Sequence, residues 1–175
     1  INNLPAESYA DVGFKTITTN PCGEIPLSAY DSCRLISINL KNFVTNPFKG
    51  PKFDFYKLYE VVTQAMRLSD DLVELEIEKL ERIIKVCDTK DEKALWKSLL
   101  KACKEGRRTG LGTHGLADAL ARLNVRYDSD KAVKITEKIY EVLRYASYTE
   151  SVNLSKERGA FGVFDWEKEK DNEYI

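Results

Sequence analysis

An α/β architecture with a mainly parallel sheet or barrel is what this sequence predicts. Three observations carry that reading: short stretches that alternate apolar and polar residues at period two, long stretches with apolar residues at helical spacing, and the succession of the two along the chain. Only two or three strands are legible, too few for a sheet to close on itself. The expected unit is therefore a partial barrel, helix-rich outside, with its missing strands supplied by sequence beyond these 175 residues.

The elements follow in order. Phe14-Lys15-Thr16-Ile17-Thr18-Thr19 alternates apolar and polar residues and is rich in Thr and Ile, predicting a short strand that leads into Asn20. From Arg34 to Leu40, Ile36, Ile38 and Leu40 alternate with Leu35, Ser37 and Asn39, a second strand with some apolar character on its other face. Between them lies a loop of about a dozen residues broken by Pro21, Gly23 and Pro26, a length often functional inside a compact domain. After turns around Asn46-Pro47 and Gly50-Pro51, Leu58, Val61, Val62, Ala65, Leu68, Leu72, Leu75, Leu80 and Ile83 predict one long helix or two abutting ones from about Asp54 to Val86. A helix from about Asp91 to Lys104 is expected to end at Gly106, followed by a short strand at Thr109–Gly112 and a short helix from about Gly115 to Leu123. The last long helix is expected to start at Ser129 or Asp130, a good cap, and to stop at Gly159.

Composition narrows the function. Apolar residues make up 43%, enough for a real core, and 27 Lys plus Arg balance 28 Asp plus Glu. No global field draws such a chain to nucleic acid or to an anionic membrane. No apolar run nears the roughly 20 residues that cross a bilayer, and Ile1-Asn2-Asn3-Leu4-Pro5 has no signal core, so a cytoplasmic protein is expected. The absence of an initial Met predicts an interior segment of a larger chain. Cys22, Cys33, Cys87 and Cys103 form no C-x-x-C pair and have one histidine, His114, between them, so neither a metal site nor a disulfide framework is expected.

Asn20, Cys22 and Glu24 alternate along the loop, and in an extended conformation would group an amide, a thiol and a carboxylate on one side. That trio can act on a carbon centre, take a hydroxyl proton and orient the hydroxyl. Spacing alone does not separate this chemistry from a plain alternative in which Cys22 is a small buried residue and Glu24 a solvated one.

The wider run does more. Thr19-Asn20-Pro21-Cys22-Gly23-Glu24-Ile25-Pro26-Leu27, then Asp31-Ser32-Cys33-Arg34-Leu35 and Ser37-Ile38-Asn39-Leu40, resembles the centre of the large catalytic chain of ribonucleotide reductases, most nearly the adenosylcobalamin-dependent class. Arg107-Arg108-Thr109-Gly110-Leu111-Gly112, Gly115-Leu116-Ala117-Asp118 and Glu157-Arg158-Gly159-Ala160-Phe161 extend the resemblance over nearly the whole chain. It implies a ten-stranded α/β barrel with a finger loop, here about residues 20–33, threaded into its centre. It also implies reduction of ribonucleoside di- or triphosphates to 2′-deoxyribonucleotides for DNA synthesis. By the same resemblance Cys22 is the thiyl radical that removes the 3′ hydrogen, Glu24 takes the 3′-hydroxyl proton, and Asn20 hydrogen-bonds the substrate. The stretch Asn20-Pro21-Cys22-Gly23-Glu24 lines the substrate. Cys33 belongs to the reducing pair, with a cysteine upstream of the finger loop, which becomes a disulfide as the 2′-hydroxyl leaves as water. Adenosylcobalamin, a dithiol reductant such as thioredoxin, effector nucleotides, the remaining barrel in the same or a partner chain, and a homo-oligomeric state complete what is implied. A radical site must exclude solvent, and Pro21 and Pro26 limit the loop's freedom while Gly23 admits close backbone approach.

Two enzymatic readings stay open, cobalamin-dependent or fed by a separate metal-radical subunit, beside a non-enzymatic nucleotide-binding or interaction module. The latter rests on Gly110-Leu111-Gly112-Thr113-His114-Gly115, which has the letters of a dinucleotide fingerprint but follows the charged run Lys104-Glu105-Gly106-Arg107-Arg108 rather than an apolar strand. His114 is expected to be a structural turn residue, Cys87 and Cys103 buried fillers at helix ends, and the charges of Glu74–Arg82 and Trp166–Asp171 solvated faces.

Overall fold

The computed structural model describes residues 9–171; the chain start Ile1–Pro5, read above for a signal core, lies outside them. The described chain divides into two compact units, one made of 9–34, 70–109 and 158–171 and the other of 35–69 and 110–157.

The second unit is built on β3 (Arg34–Asn39), which pairs with β6 (Thr109–His114). Alternation works as expected on β3: Ile36, Ile38 and the following Leu40 join the core, whereas Leu35 and Ser37 are exposed. The helices packed on that apolar face are the start of α1 (Phe55–Val86), α3 (Leu116–Arg122) and α4 (Asp130–Arg158), which contribute Leu58, Val62, Leu120 and Ile139 to the same cluster. Leu40, Leu58, Val62 and Ile139 are fully buried, and truncating one such side chain costs about 2–5 kcal/mol. The caps match the chemistry of their residues: Asp54 Oδ1 accepts from Lys57 N–H at 2.9 Å at the start of α1, and Ser129 Oγ accepts from Ala132 N–H at 3.2 Å at the start of α4. The helix predicted as one or two is a single 32-residue α1.

The first unit holds a smaller core of Val73, Ile77 and Leu80 on α1 against Cys103, Trp96, Leu99 and Leu100 on α2 (Lys90–Gly106). Gly106 is not the stop signal expected of it. It is the last helical residue, and the left-handed cap is Arg107 at φ 42°, whose N–H reaches the Cys103 carbonyl. A non-glycine residue holds that conformation because its guanidinium is anchored by Asp70, at 2.7 Å, and by Glu74. Phe14 occupies the reason for the glycine: a Cβ at position 106 would stand 2.6 Å from its ring.

The predicted strand at Phe14–Thr19 shrinks to β1 (Thr18–Thr19), paired antiparallel with β2 (Pro26–Leu27). A further hairpin, unmarked by any periodicity, joins β4 (Val44–Thr45) to β5 (Lys52–Phe53), also antiparallel. Short connections force that direction, since a parallel return needs a long crossover. The described strands thus form three two-stranded sheets, two of them antiparallel, rather than a closed or mainly parallel one; helix and strand are mixed as expected. The charged faces are more than solvated: Glu74 and Glu76 of α1 hold Arg107 and Arg34, and Glu169 on α5 (Trp166–Glu169) is buried. No helix of the described residues is long and apolar enough to cross a membrane.

Candidate active site

The loop singled out by sequence, about residues 20–33, is not one continuous loop: it comprises the tip of the β1–β2 hairpin, β2 itself and the segment leading to β3. Ladder pairs Thr18 with Leu27 and Thr19 with Pro26 bring the strands together, and residues 20–25 turn between them. The segment is a turn rather than an extended run, so the alternation argument for a shared side does not hold. The turn instead gathers Asn20, Cys22 and Glu24 on one short tip. Asn20 is its clasp: its N–H donates to the Ile25 carbonyl at 3.1 Å, its carbonyl accepts from Gly23 N–H at 2.9 Å, and its Oδ1 accepts from Ile25 N–H at 3.0 Å. Gly23 adopts φ 79°, which a side chain would strain. Pro21, Cys22, Gly23 and Glu24 are all exposed.

Leaving β2, the chain reaches Cys33, half-buried and held on both sides by ion pairs. Asp31, with a side chain 1% exposed, accepts from Arg108 Nε at 2.5 Å and from the Ser32 N–H at 2.9 Å. Arg34, 7% exposed, donates to Glu76 Oε2 at 2.6 Å, to the carbonyls of Ser32 and Arg108 at 3.2 and 3.1 Å, and to Cys103 Sγ at 2.8 Å. Burial pushes the Cys33 thiol up; Arg108 and then Arg34 pull it down, while Asp31 and Glu24 push it up. Glu24, on the hairpin tip, is the last and smallest of these influences on Cys33. Sequence reasoning assigned no role to Asp31, Arg34, Glu76 or Arg108: the first, second and fourth entered only as letters of the family motif, and partners 42 and 77 residues apart cannot be matched from charge alone.

The other expected fillers divide. Cys103 is buried, and burial raises its thiol while Arg34 opposes. Cys87 is only half-buried, its Sγ donating to the Ile83 carbonyl at 3.0 Å. All four cysteines are free, and among the described residues no group of His, Cys, Asp and Glu could hold a metal ion. His114 sits at the end of β6, not in a turn, with Nδ1 2.8 Å from Ser37 Oγ. The fingerprint letters belong to that strand and its passage into α3. Gly115, at φ 74°, is required where a Cβ would meet Asn39 Oδ1 at 2.7 Å.

Residues 7–175 match the family model for the ribonucleotide reductase barrel domain. The chain is 37% identical over 168 residues, 94% of its length, to a vitamin B12-dependent ribonucleoside-diphosphate reductase of Thermoplasma acidophilum, and 35% identical over 146 residues, 83% of its length, to one of Mycobacterium tuberculosis. A ribonucleoside-diphosphate reductase subunit alpha of Chlamydia pneumoniae is 30% identical over 154 residues, 86% of the chain. These alignments cover 19%, 18% and 13% of the respective relatives, so the chain spans a small part of the proteins it matches. By its near-complete match to the model, this chain belongs to the ribonucleotide reductase barrel-domain family.

Proposed function

We propose that this chain is the finger-loop segment of the catalytic chain of a cytoplasmic ribonucleotide reductase, residues 1–175 forming an incomplete part of a ten-stranded α/β barrel. The observation that carries the reading is the hairpin tip: Asn20 clasps a turn that presents Cys22 and Glu24 outward, with Cys33 beyond β2 within electrostatic reach of Glu24. In this reading the Cys22 sulfur, as a thiyl radical, takes the 3′ hydrogen of the ribonucleotide. Glu24 takes the 3′-hydroxyl proton, and Asn20 Nδ2, which the clasp leaves available, donates to the substrate. Pro21 and Gly23 hold the backbone against it. The 2′-hydroxyl leaves as water as Cys33 and an upstream cysteine give up two electrons and two protons and join in a disulfide, which an external dithiol such as thioredoxin reopens.

The names of the Thermoplasma and Mycobacterium relatives support a ribonucleoside diphosphate as substrate and a cobalamin cofactor, which the motif resemblance makes adenosylcobalamin. The described residues do not fit a corrinoid: His114, the one imidazole, is bonded through Nδ1 to Ser37, and two cavities, of about 460 and 210 Å³, are lined mainly by apolar side chains. No residue here is assigned to hold the cofactor, and no step is routed through it. The test is Cys22→Ser in the full-length reductase. Nucleotide reduction should vanish while substrate affinity and melting temperature hold, since Ser keeps the size but cannot carry the radical; retained turnover would remove Cys22 from the reaction. Full activity without cobalamin would favour a reductase fed by a separate metal-radical subunit.

A further inference from the structure

We propose that Arg34 and Arg108 are positioning residues for Cys33: with Glu76 and Asp31 they clamp the backbone on both sides of the thiol and set the charge under which it exchanges disulfides. The inference rests on the reading of Cys33 as a redox thiol.

The geometry is that of a two-sided clamp. On one side, Asp31 is locked by Arg108 from the link between α2 and β6 and by Ser28 Oγ at 3.3 Å. On the other, Arg34 spans to Glu76 on α1 and to Cys103 on α2, and its Nη1 bridges the Ser32 and Arg108 carbonyls, joining both halves of the clamp. Ser32 adds a bond from Oγ to Glu76 Oε1 at 3.1 Å. Of residues 31–34, Cys33 is thus the one whose side chain the network leaves for other chemistry. Arg34, 7% exposed and held by Glu76, two carbonyls and Cys103, with Arg108 paired to the buried carboxylate of Asp31, forms a rigid frame rather than a surface pair.

The charges about the thiol follow from the same frame. Arg108 and Arg34 face it with positive charge, Asp31 and Glu24 with negative charge, and Glu76 offsets Arg34 from α1. Regeneration needs the disulfide of Cys33 and its partner to break: an external dithiol supplies two electrons and becomes a disulfide, and the two protein sulfurs leave as thiolates that take up two protons. A leaving thiolate stabilised by a nearby cation departs faster, so Arg108 assists the step that burial of Cys33 opposes.

The test is the pH dependence of Cys33 alkylation by iodoacetamide in the full-length reductase, read by peptide mass spectrometry, alongside dithiol-dependent turnover. Arg108→Gln should move the alkylation profile to higher pH and slow alkylation at neutral pH by roughly tenfold, the effect of one unit on the thiolate fraction. Arg108→Lys should restore the profile. Asp31→Asn, nearly isosteric, removes a negative charge and should move it the opposite way, to lower pH. Arg34→Lys keeps the charge but not the multi-point frame, so turnover should fall several-fold with the alkylation midpoint in place. A clamp that only shaped the backbone would shift Arg108→Gln and Asp31→Asn in the same direction or not at all, and either result overturns the proposal, as does unchanged turnover in Arg34→Lys. Cys33→Ser separates the two levels: full turnover would remove the redox reading, which the alkylation profiles do not measure.

Discussion

In the proposed reading Asn20 has two functions that its own chemistry can separate. Its Oδ1 closes the hairpin on Ile25 N–H, leaving Nδ2 to meet a substrate. In Asn20→Asp a carboxylate oxygen still accepts from Ile25 but nothing is left to donate. We expect the full-length enzyme to keep its melting temperature and lose roughly 100-fold in kcat, the usual weight of one donor aimed at developing charge. A change confined to KM would reduce Asn20 to a binding residue, and a fall in stability equal to that of Asn20→Ala would deny the clasp its carboxylate-tolerant form. The resemblance of their motif singled out Asn20, Cys22, Glu24 and Cys33 as candidates. What Asn20 does to the loop was not, because it depends on where the turn carries Ile25.

At the scale of elements, α2 shows how a correct boundary can have the wrong cause. The helix ends next to a glycine as expected, but the glycine is there for Phe14 and the cap is an arginine pinned by two carboxylates. Gly106→Ala should therefore destabilise the protein by about 1–3 kcal/mol, the ring displacement outweighing the gain of up to about 1 kcal/mol in helix propensity. Paired with Phe14→Ala, the same substitution should no longer destabilise. Thermal melts of the single and double variants decide it; stabilisation by Gly106→Ala alone would mean that the ring yields freely. The helices were readable because their apolar spacing repeats over many turns. Strands of two residues carry no period at all, which is why the β4–β5 hairpin left no trace and the strand at Phe14–Thr19 was overextended.

At the scale of the whole molecule, the exposed Cys22 and three two-stranded sheets bear on what the chain does by itself. A thiyl radical needs a site closed to solvent, and paired strands with open edges are weak structures that attract other strands. Within the chain, Cys103 is engaged by Arg34 and Cys87 by the Ile83 carbonyl, so an upstream cysteine remains the proposed partner of Cys33. Purified alone, the 175-residue chain should show no dithiol-dependent ribonucleotide reduction with adenosylcobalamin present and should tend to aggregate. Activity should return when the rest of the barrel is supplied in the same chain or as a partner. Multiple turnovers by the segment alone would overturn the partial-barrel reading.

By itself the sequence determined the long helices, the strand at Arg34–Asn39 with its buried face, and the family, because apolar period and a dense local motif are properties of neighbouring residues. Tertiary structure alone decided that the candidate loop opens with a hairpin tip clasped by Asn20, that Arg107 caps α2, and that Cys33 lies between two ion-paired arginines. The physical reason is range: a turn's hydrogen bonds depend on its conformation, and a charge finds its partner only when folding brings together residues far apart along the chain.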